Sequence, residues 1–299
     1  MKPTCTICGN RSAFLLEKDG YSIYECPKCH LSFVYPQPAA TFLKEEVYSE
    51  KSGYQANKPQ DLSKVIPTNK QQKVLAYLKS QPKGKFLDIG CSSGELMYFA
   101  KNLGLEVCGV ELNGRTAGIA KANGLNVTVG TLEQAHFIDK SFDYIHLGDI
   151  IEHVNDPRIL VKEAKRLLKS NGKLIVVTPN MECLWANSTL ALHRMLKIPW
   201  GSATPPHHLF QFSFGNLKVL LDQEGFRFDK AWFTGTPSLK YELGSLHLVK
   251  KWKSKRTVGN LAYMLLAFGL YSAIFGINRI VELFPFKKFS MALVFHSRA

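Results

Sequence analysis

Lys85-Phe-Leu-Asp-Ile-Gly-Cys-Ser-Ser-Gly94 is the stretch from which the rest of the chain is read. An apolar run of Phe86, Leu87 and Ile89 encloses Asp88 and ends in Gly90, three small residues and Gly94. Apolar-periodic sequence then resumes from Leu96 to Leu103. The pattern predicts a buried strand, a tight turn and a helix. Glycines suit a turn whose backbone must touch a ligand, because a Cβ would stand in the way. The spacing Gly90-x-x-x-Gly94 is not the dinucleotide fingerprint, and no Lys-Ser/Thr follows to make a phosphate-binding P-loop.

Further strands follow at even intervals. Leu105–Val110 reads as a second buried strand ending in Glu111. A carboxylate about 20 residues after such a loop is where nucleotide folds hold a ribose diol, since its two oxygens accept from two hydroxyls. A third strand, Leu125–Val129, leads into Gly130-Thr131-Leu132-Glu133. A fourth, Phe142–Leu147, leads into Gly148-Asp149-Ile-Ile-Glu152-His153-Val-Asn-Asp156-Pro157. Then come a helix, Arg158–Leu168, and a strand, Lys173–Thr178, closed by Pro179-Asn180. Residues 68–80 read as the helix entering the sheet. Phe226–Phe233 is the expected sixth strand, and Met291–His296 the seventh, antiparallel at the sheet edge.

From Thr68 to His296 these blocks, in this order, resemble the class I S-adenosylmethionine-dependent methyltransferases. The run Glu152-His153-x-x-Asp156-Pro157 is similar in particular to quinone-biosynthesis O-methyltransferases and their bacterial small-molecule relatives. The resemblance implies an α/β fold: a Rossmann-like seven-stranded sheet with helices on both faces. It also implies S-adenosylmethionine as cofactor. That molecule carries an ammonium and a sulfonium rather than a phosphate, which favours acidic groups and backbone carbonyls. The implied cofactor residues are Asp88, Gly90, Cys91 and Gly94 at the methionine end, Glu111 and Leu112 at the ribose, and Thr131, Leu132 and Glu133 at the adenine, with Leu147 and Asp149 from the fourth loop.

Ahead of this domain, Cys5-Thr-Ile-Cys8-Gly9 and Cys26-Pro-Lys-Cys29 are two C-x-x-C knuckles at zinc-ligand spacing. Phe14–Leu16 and Tyr21–Tyr24 between them read as a hairpin turning at Asp19-Gly20. Residues 1–35 are thus expected to form a zinc ribbon held by Cys5, Cys8, Cys26 and Cys29. Four ligands close the coordination sphere, so the Zn²⁺ would be structural. So small a module buries too little apolar surface to fold unaided, and the metal supplies the deficit. The odd cysteine total of seven and the metal pattern favour a reducing, cytoplasmic setting over disulfides. No basic n-region with an apolar h-region opens the chain, so secretion by that route is not expected. Ribbons of this kind occur in methyltransferases of nucleotide-linked deoxysugars and of ribosomal RNA bases. The formal charge of +14 is compatible with RNA, an anionic membrane surface or an acidic substrate.

Residues 36–67 form a polar connector, and Tyr48-Ser-Glu-Lys-Ser-Gly-Tyr54 resembles the family's segment that folds over the cofactor, which would bring Tyr54 to the site or pack it on the surface. Residues 68–299 are the methyltransferase domain, with a lid insert at 181–209 and a hydrophobic helical insert at 250–288. In methyl transfer the protein chiefly holds the nucleophile in line and excludes water. An oxygen or carbon nucleophile also needs a base of suitable pKa, and histidine serves. The candidates are Glu152, His153 and His208, the last within His207-His208-Leu-Phe-Gln-Phe-Ser213, a block resembling one in bacterial small-molecule methyltransferases. A packing role for His153 at a helix start is the alternative. Glu152 and His153 also resemble the metal-dependent quinone methyltransferases, which implies a divalent cation. Trp185 and Trp200 are read as stacking surfaces for a ring or as core.

Val258 to Asn278 contains no charged side chain and would make a helix of about 30 Å, long enough for a bilayer. Gly269 and Gly276 allow a break into a helical hairpin. Helices capping the cleft, an element docking on the membrane surface, and a true span all remain open. Lys250–Arg256 and Lys287-Lys288 on the flanks suit anionic lipid, so under the docking reading 250–288 would make peripheral contact with the inner face of the membrane. The chain thus reads as transferring methyl to O (or C) of a small-molecule or lipid-linked acceptor, such as a glycan intermediate or quinol. The alternative is an rRNA base methyltransferase, with nucleic acid the less favoured partner.

Overall fold

The computed structural model describes residues 2–49, 59–235, 238–281, 283 and 288–297. At the N-terminus, β1 (Ala13–Lys18) and β2 (Tyr21–Glu25) form an antiparallel hairpin through Asp19 and Gly20, both at positive φ. β3 (Ser32–Val34) pairs with β2. A single short turn, α1 (Ala40–Phe42), widens into a π-helical turn at Leu43–Val47. Next, α2 (Asn69–Lys79) opens with a reciprocal cap: the Thr68 hydroxyl accepts from the Gln71 N–H, and the Gln71 side chain from the Thr68 N–H.

The main sheet is built from β4 (Lys85–Ile89), β5 (Glu106–Glu111), β6 (Asn126–Val129), β7 (Phe142–Gly148) and β8 (Leu168–Pro179), all parallel, with β10 (Phe226–Thr234) and β11 (Ser290–Ser297). Its order is β10-β11-β8-β7-β4-β5-β6. The connecting helices are α3 (Glu95–Asn102), α4 (Gly114–Ala122), α5 (Pro157–Leu167), α6 (Leu184–Leu196) and α7 (Phe214–Gln223), and the two-residue strand β9 (Phe210–Gln211) precedes α7. Because β4 lies between β5 and β7, the chain order reverses there. In open α/β sheets a crevice opens at the carboxyl ends at such a point.

Apolar side chains cover both faces. On one, Val74, Met97, Ala100 and Ala117 of α2, α3 and α4 pack with Phe86 and Val294. On the other, Val161 and Leu167 of α5 and Leu217 and Leu221 of α7 share one core with Ile23 and Phe33 of the N-terminal hairpin unit. That unit is thus part of the layer rather than a bead on a linker.

One expectation is corrected. β11 is not the sheet edge: it pairs antiparallel with both β8 and β10. Its sequence explains the placement, since Met291, Leu293 and Phe295 enter one core while Ala292 and Val294 enter the other. A strand apolar on both faces belongs inside a sheet, whereas β10, with exposed Arg227, Asp229 and Lys230, tolerates the edge. Nor does the hydrophobic insert break. After α8 (Leu239–Ser245) and α9 (Leu248–Ser254), α10 (Val258–Val281) runs unbroken for 24 residues. A glycine costs a helix only about 1 kcal/mol relative to alanine, which a helix of 24 residues absorbs. Ala267, Tyr271 and Asn278 form the buried stripe of α10, while Leu265, Leu266, Ile277 and Ile280 are each more than half exposed. Tyr271 ties it to the lid by donating to the Pro199 carbonyl and accepting from the Gly201 N–H, each at 3.0 Å.

Candidate active site

Three carboxyl-end loops are stitched together around the crevice. The N–H groups of Gly90 and Cys91 both donate to the Val110 carbonyl, and that of Gly130 to the Glu111 carbonyl. Gly90 has φ +73°, and a Cβ there would lie 2.4 Å from Ile150 Cδ1 in the loop after β7. Glu111 is buried, and each carboxylate oxygen takes one backbone N–H: Ser92 at 2.7 Å and Asn113 at 2.8 Å. Each oxygen keeps a second acceptor position, which fits a ribose diol. Burial raises its pKa above the usual glutamate value despite these donors.

The remaining cofactor candidates are placed as follows. Gly94 starts α3 at φ +81°. Cys91, Leu132 and Leu147 are buried, Leu112 and Thr131 half-buried, and Glu133 is exposed on a short turn. Asp149 forms an ion pair with Lys70 of α2 at 2.7 Å. Asp88 has a partner that the sequence reading missed: His146, directly opposite on β7, with Nδ1 at 2.7 Å. A lone histidine inside an apolar strand is weak signal, but its register against Asp88 makes it the carboxylate's anchor.

Beside this crevice the structure brings Glu152, His153 and His208 together. Each offers one donor atom, and these atoms lie within 4.8 Å of one another. The His153 and His208 rings meet edge-on, 4.9 Å between centroids. His153 Nδ1–H donates to the His207 carbonyl at 2.6 Å, which leaves Nε2 as the free lone pair, 4.0 Å from Glu152. Glu152 is 1% exposed, and neither of its oxygens has a hydrogen-bond partner among the described residues. Burial first, and the charge of Asp149 second, push its pKa up to about 8. Burial lowers His153, and burial with the neighbouring imidazoles holds His208 well below the usual histidine value. At neutral pH the cluster is therefore a protonated carboxyl facing two neutral imidazoles. It can relay a proton, and the same three donors suit a divalent cation.

The Glu152 shift carries a stability consequence. The unfolded carboxyl ionises near 4.5 and the folded one near 8. The folded chain therefore binds the extra proton between those values, and stability present below that window is lost as pH rises through it. Glu152→Gln is expected to match wild type in Tm at pH 5 and to exceed it at pH 9. Parallel Tm curves across that range would show that Glu152 ionises normally.

Tyr48 closes the arrangement. Its hydroxyl donates to the His207 carbonyl at 2.9 Å and lies 3.0 Å from His153 Nδ1, while its carbonyl accepts from Asn113 Nδ2 at 3.2 Å. One connector residue thus joins the Glu111 loop to the histidine cluster. Tyr54, expected to line the site, lies outside the described residues. Of the two readings of Trp185 and Trp200, core is the one observed: they are 0% and 1% exposed, with Trp185 edge-on to Tyr271, and neither offers a stacking surface.

The four N-terminal cysteines converge, with Sγ atoms all within 4.8 Å and pairs at 3.6 Å (Cys5–Cys29) and 3.3 Å (Cys8–Cys26). Thiolates about 2.3 Å from one tetrahedral ion would sit about 3.8 Å apart, so the set fits zinc. His30 takes φ +55° and pairs with Glu25, with 74% of its side chain exposed, so it is no fifth ligand. This ribbon grips the domain. Arg158 of α5 donates to the carbonyls of Thr6 and Ile7, and Asn216 of α7 to that of Cys29. Most consequentially, β9, directly after the 181–209 segment, pairs with β3, and the Val34 N–H donates to the Leu209 carbonyl at 2.9 Å, one residue past His208.

The switch-point sheet and its stitched loops define the class I S-adenosylmethionine-dependent methyltransferase fold. A family model described as a methyltransferase domain matches residues 61–231, more than half of the chain, and the chain belongs to that family. An uncharacterized protein of Methanocaldococcus jannaschii is 32% identical over 106 residues, 36% of this chain and 50% of that one. A ubiquinone biosynthesis O-methyltransferase of Pelagibacter ubique is 30% identical over 173 residues, 52% of this chain and 72% of that one. The chain thus spans half the length of the first relative and 72% of the second. The crystal structure of a SAM-dependent methyltransferase from Archaeoglobus fulgidus shares the fold, with a TM-score of 0.50 at 17% identity, covering 83% of this chain and 98% of that one.

Proposed function

We propose that the chain transfers the methyl group of S-adenosylmethionine to an oxygen (or carbon) of a small-molecule or lipid-linked acceptor, such as a glycan intermediate or a quinol. The convergence of Glu152, His153 and His208 beside the cofactor crevice carries this reading. The named activity of the Pelagibacter relative agrees with it. Bound in the crevice, the cofactor supplies an electrophilic methyl on sulfonium. Glu111 would hold the ribose, the Gly90–Gly94 loop and Asp88 the methionine end, and Leu132 and Glu133 the adenine edge. Neutral His208 would take the proton that the acceptor hydroxyl gives up on methylation, with His153 and Glu152 beside it as a relay. The four ribbon cysteines hold a structural zinc.

The outward face of α10 supports peripheral contact with a membrane. It carries Leu265, Leu266, Ile277 and Ile280, each more than half exposed, and the preceding Lys250, Lys251, Lys253, Lys255 and Arg256 are all exposed, which suits anionic lipid headgroups. The test is methyl transfer from labelled S-adenosylmethionine into host extract split into RNA, membrane-lipid and soluble small-molecule fractions. Label is expected in the lipid or small-molecule fraction; label in RNA alone would replace this reading with base methylation of RNA.

A further inference from the structure

A cavity of about 750 Å³ lies where the ribbon hairpin, the lid and α8 meet. Lys18 and Asp19 come from the ribbon, His207 from the lid, Lys240 and Gly244 from α8, and His247 from the residue before α9. Lys18 is 7% exposed and is committed: its Nζ donates to the carbonyls of Trp200, at 2.9 Å, and Ala203. Asp19, the only carboxylate among the lining residues, pairs with His247 at 3.5 Å. Exposed Lys240 is thus a cation at the mouth with no ion pair among the described residues. The remaining wall is largely apolar, with Pro205, Pro206 and the Tyr241 ring.

Position adds the second argument. His207 belongs to this wall and also accepts, through its carbonyl, from His153 and Tyr48. The cavity therefore backs directly onto the proposed proton relay. On its other side, α8 sends Leu239 and Leu243 into the core shared with α10. α8 thus lies between the cavity and the buried stripe of α10.

We propose that this cavity binds the anionic, chain-bearing part of the acceptor: a phosphate ester of a prenyl-type lipid. This rests on reading the chain as a methyltransferase of a lipid-linked acceptor. The phosphate meets Lys240 at the mouth, the first isoprene units lie against Pro205, Pro206 and Tyr241, and the group to be methylated extends towards His207. An anion alone gains only the exposed Lys240, and an alcohol alone gains only the apolar wall, so a ligand carrying both features uses more of the cavity than either.

Gly244 provides a clean test. It lies on α8, and a Cβ built there meets nothing within 4 Å. Gly244→Leu therefore fills the cavity without a clash at its root. Calorimetric titration of the zinc-loaded full chain with farnesyl phosphate, farnesol and inorganic phosphate is expected to show farnesyl phosphate binding at least tenfold tighter than either. Lys240→Glu, on the exposed rim, should weaken farnesyl phosphate at least tenfold, and Gly244→Leu should abolish it. S-adenosylmethionine affinity and Tm should stay unchanged in both variants. Equal affinity for farnesol and farnesyl phosphate, or wild-type affinity in Gly244→Leu, would overturn the assignment. The two readings separate in the labelled-extract assay. If Gly244→Leu still methylates the lipid fraction fully, the cavity assignment falls and the acceptor reading stands. If farnesyl phosphate binds as expected while label enters only RNA, the acceptor reading falls and takes the cavity's acceptor role with it, leaving only a prenyl-phosphate site apart from the methylated substrate.

Discussion

His208→Ala is expected to lower kcat by about 10²–10⁴-fold, the range that a positioned general base contributes, while leaving the affinity for S-adenosylmethionine at its wild-type value. The separation follows from geometry. His208 stands against His153 and Glu152 at the lid, whereas the cofactor crevice is formed by the loops after β4, β5 and β6. Burial and the neighbouring imidazoles keep His208 neutral at pH 7, so it can accept a proton without first losing one. The rate should accordingly be flat from about pH 6.5 up to the ionisation of Glu152 at about 8, and change only there. Added imidazole should restore part of the rate in the alanine variant. Single-turnover transfer with calorimetric cofactor binding measures both quantities. A kcat within a few-fold of wild type, with no response to imidazole, would reduce His208 to a packing residue.

Cys26→Ser should produce the other large effect, through zinc. Structural zinc contributes about 10–16 kcal/mol in isolated finger peptides. Losing one of four thiolates removes much of this, and a Tm fall of about 10 °C is expected for a chain of this size. The kcat should fall at least tenfold as well, although Cys26 is nowhere near the chemistry. The route is β3, which pairs with β9 through Ser32↔Gln211 and Phe33↔Phe210 and holds Leu209 next to His208. Cofactor affinity should be retained, since the Glu111 and Gly90 loops do not touch the ribbon hydrogen bonds. Metal content, Tm and kcat measured on one preparation decide the matter. A metal-free variant with wild-type Tm and rate would show that the ribbon braces nothing.

The parts of the molecule legible in the sequence are those set by neighbours along the chain. Phe86 to Gly94 read as strand, turn and helix because apolar period and glycine placement are local, and β4 and α3 follow. The two C-x-x-C knuckles were legible for the same reason, each pair of sulfurs being set by its own turn. What escaped was set by pairing across the chain. Whether a strand lies at an edge or inside depends on what covers both its faces, and Met291–His296 could be counted as a strand but not ranked within the sheet. The β3–β9 pairing joins residues far apart in sequence, and a two-residue strand leaves no periodic trace. Tyr48 and His146 look like any linker tyrosine and strand histidine until His153 and Asp88 are brought against them. The lid tryptophans were ambiguous because large apolar rings serve cores and binding surfaces equally. Gly269 and Gly276 suggested a break that their small helix cost did not enforce.

The β3–β9 pairing also dictates an order of assembly. As the chain leaves the ribosome, the ribbon can close on its metal once Cys29 has emerged, but β3 must then wait as an open edge until Phe210 and Gln211 arrive. An unpaired edge is a template for wrong partners, and slow non-local closure prolongs that hazard. The growing chain should therefore depend on chaperones most while residues 35 to 209 are being made. A nascent chain truncated before Phe210 should aggregate through its N-terminal end, even with zinc in place.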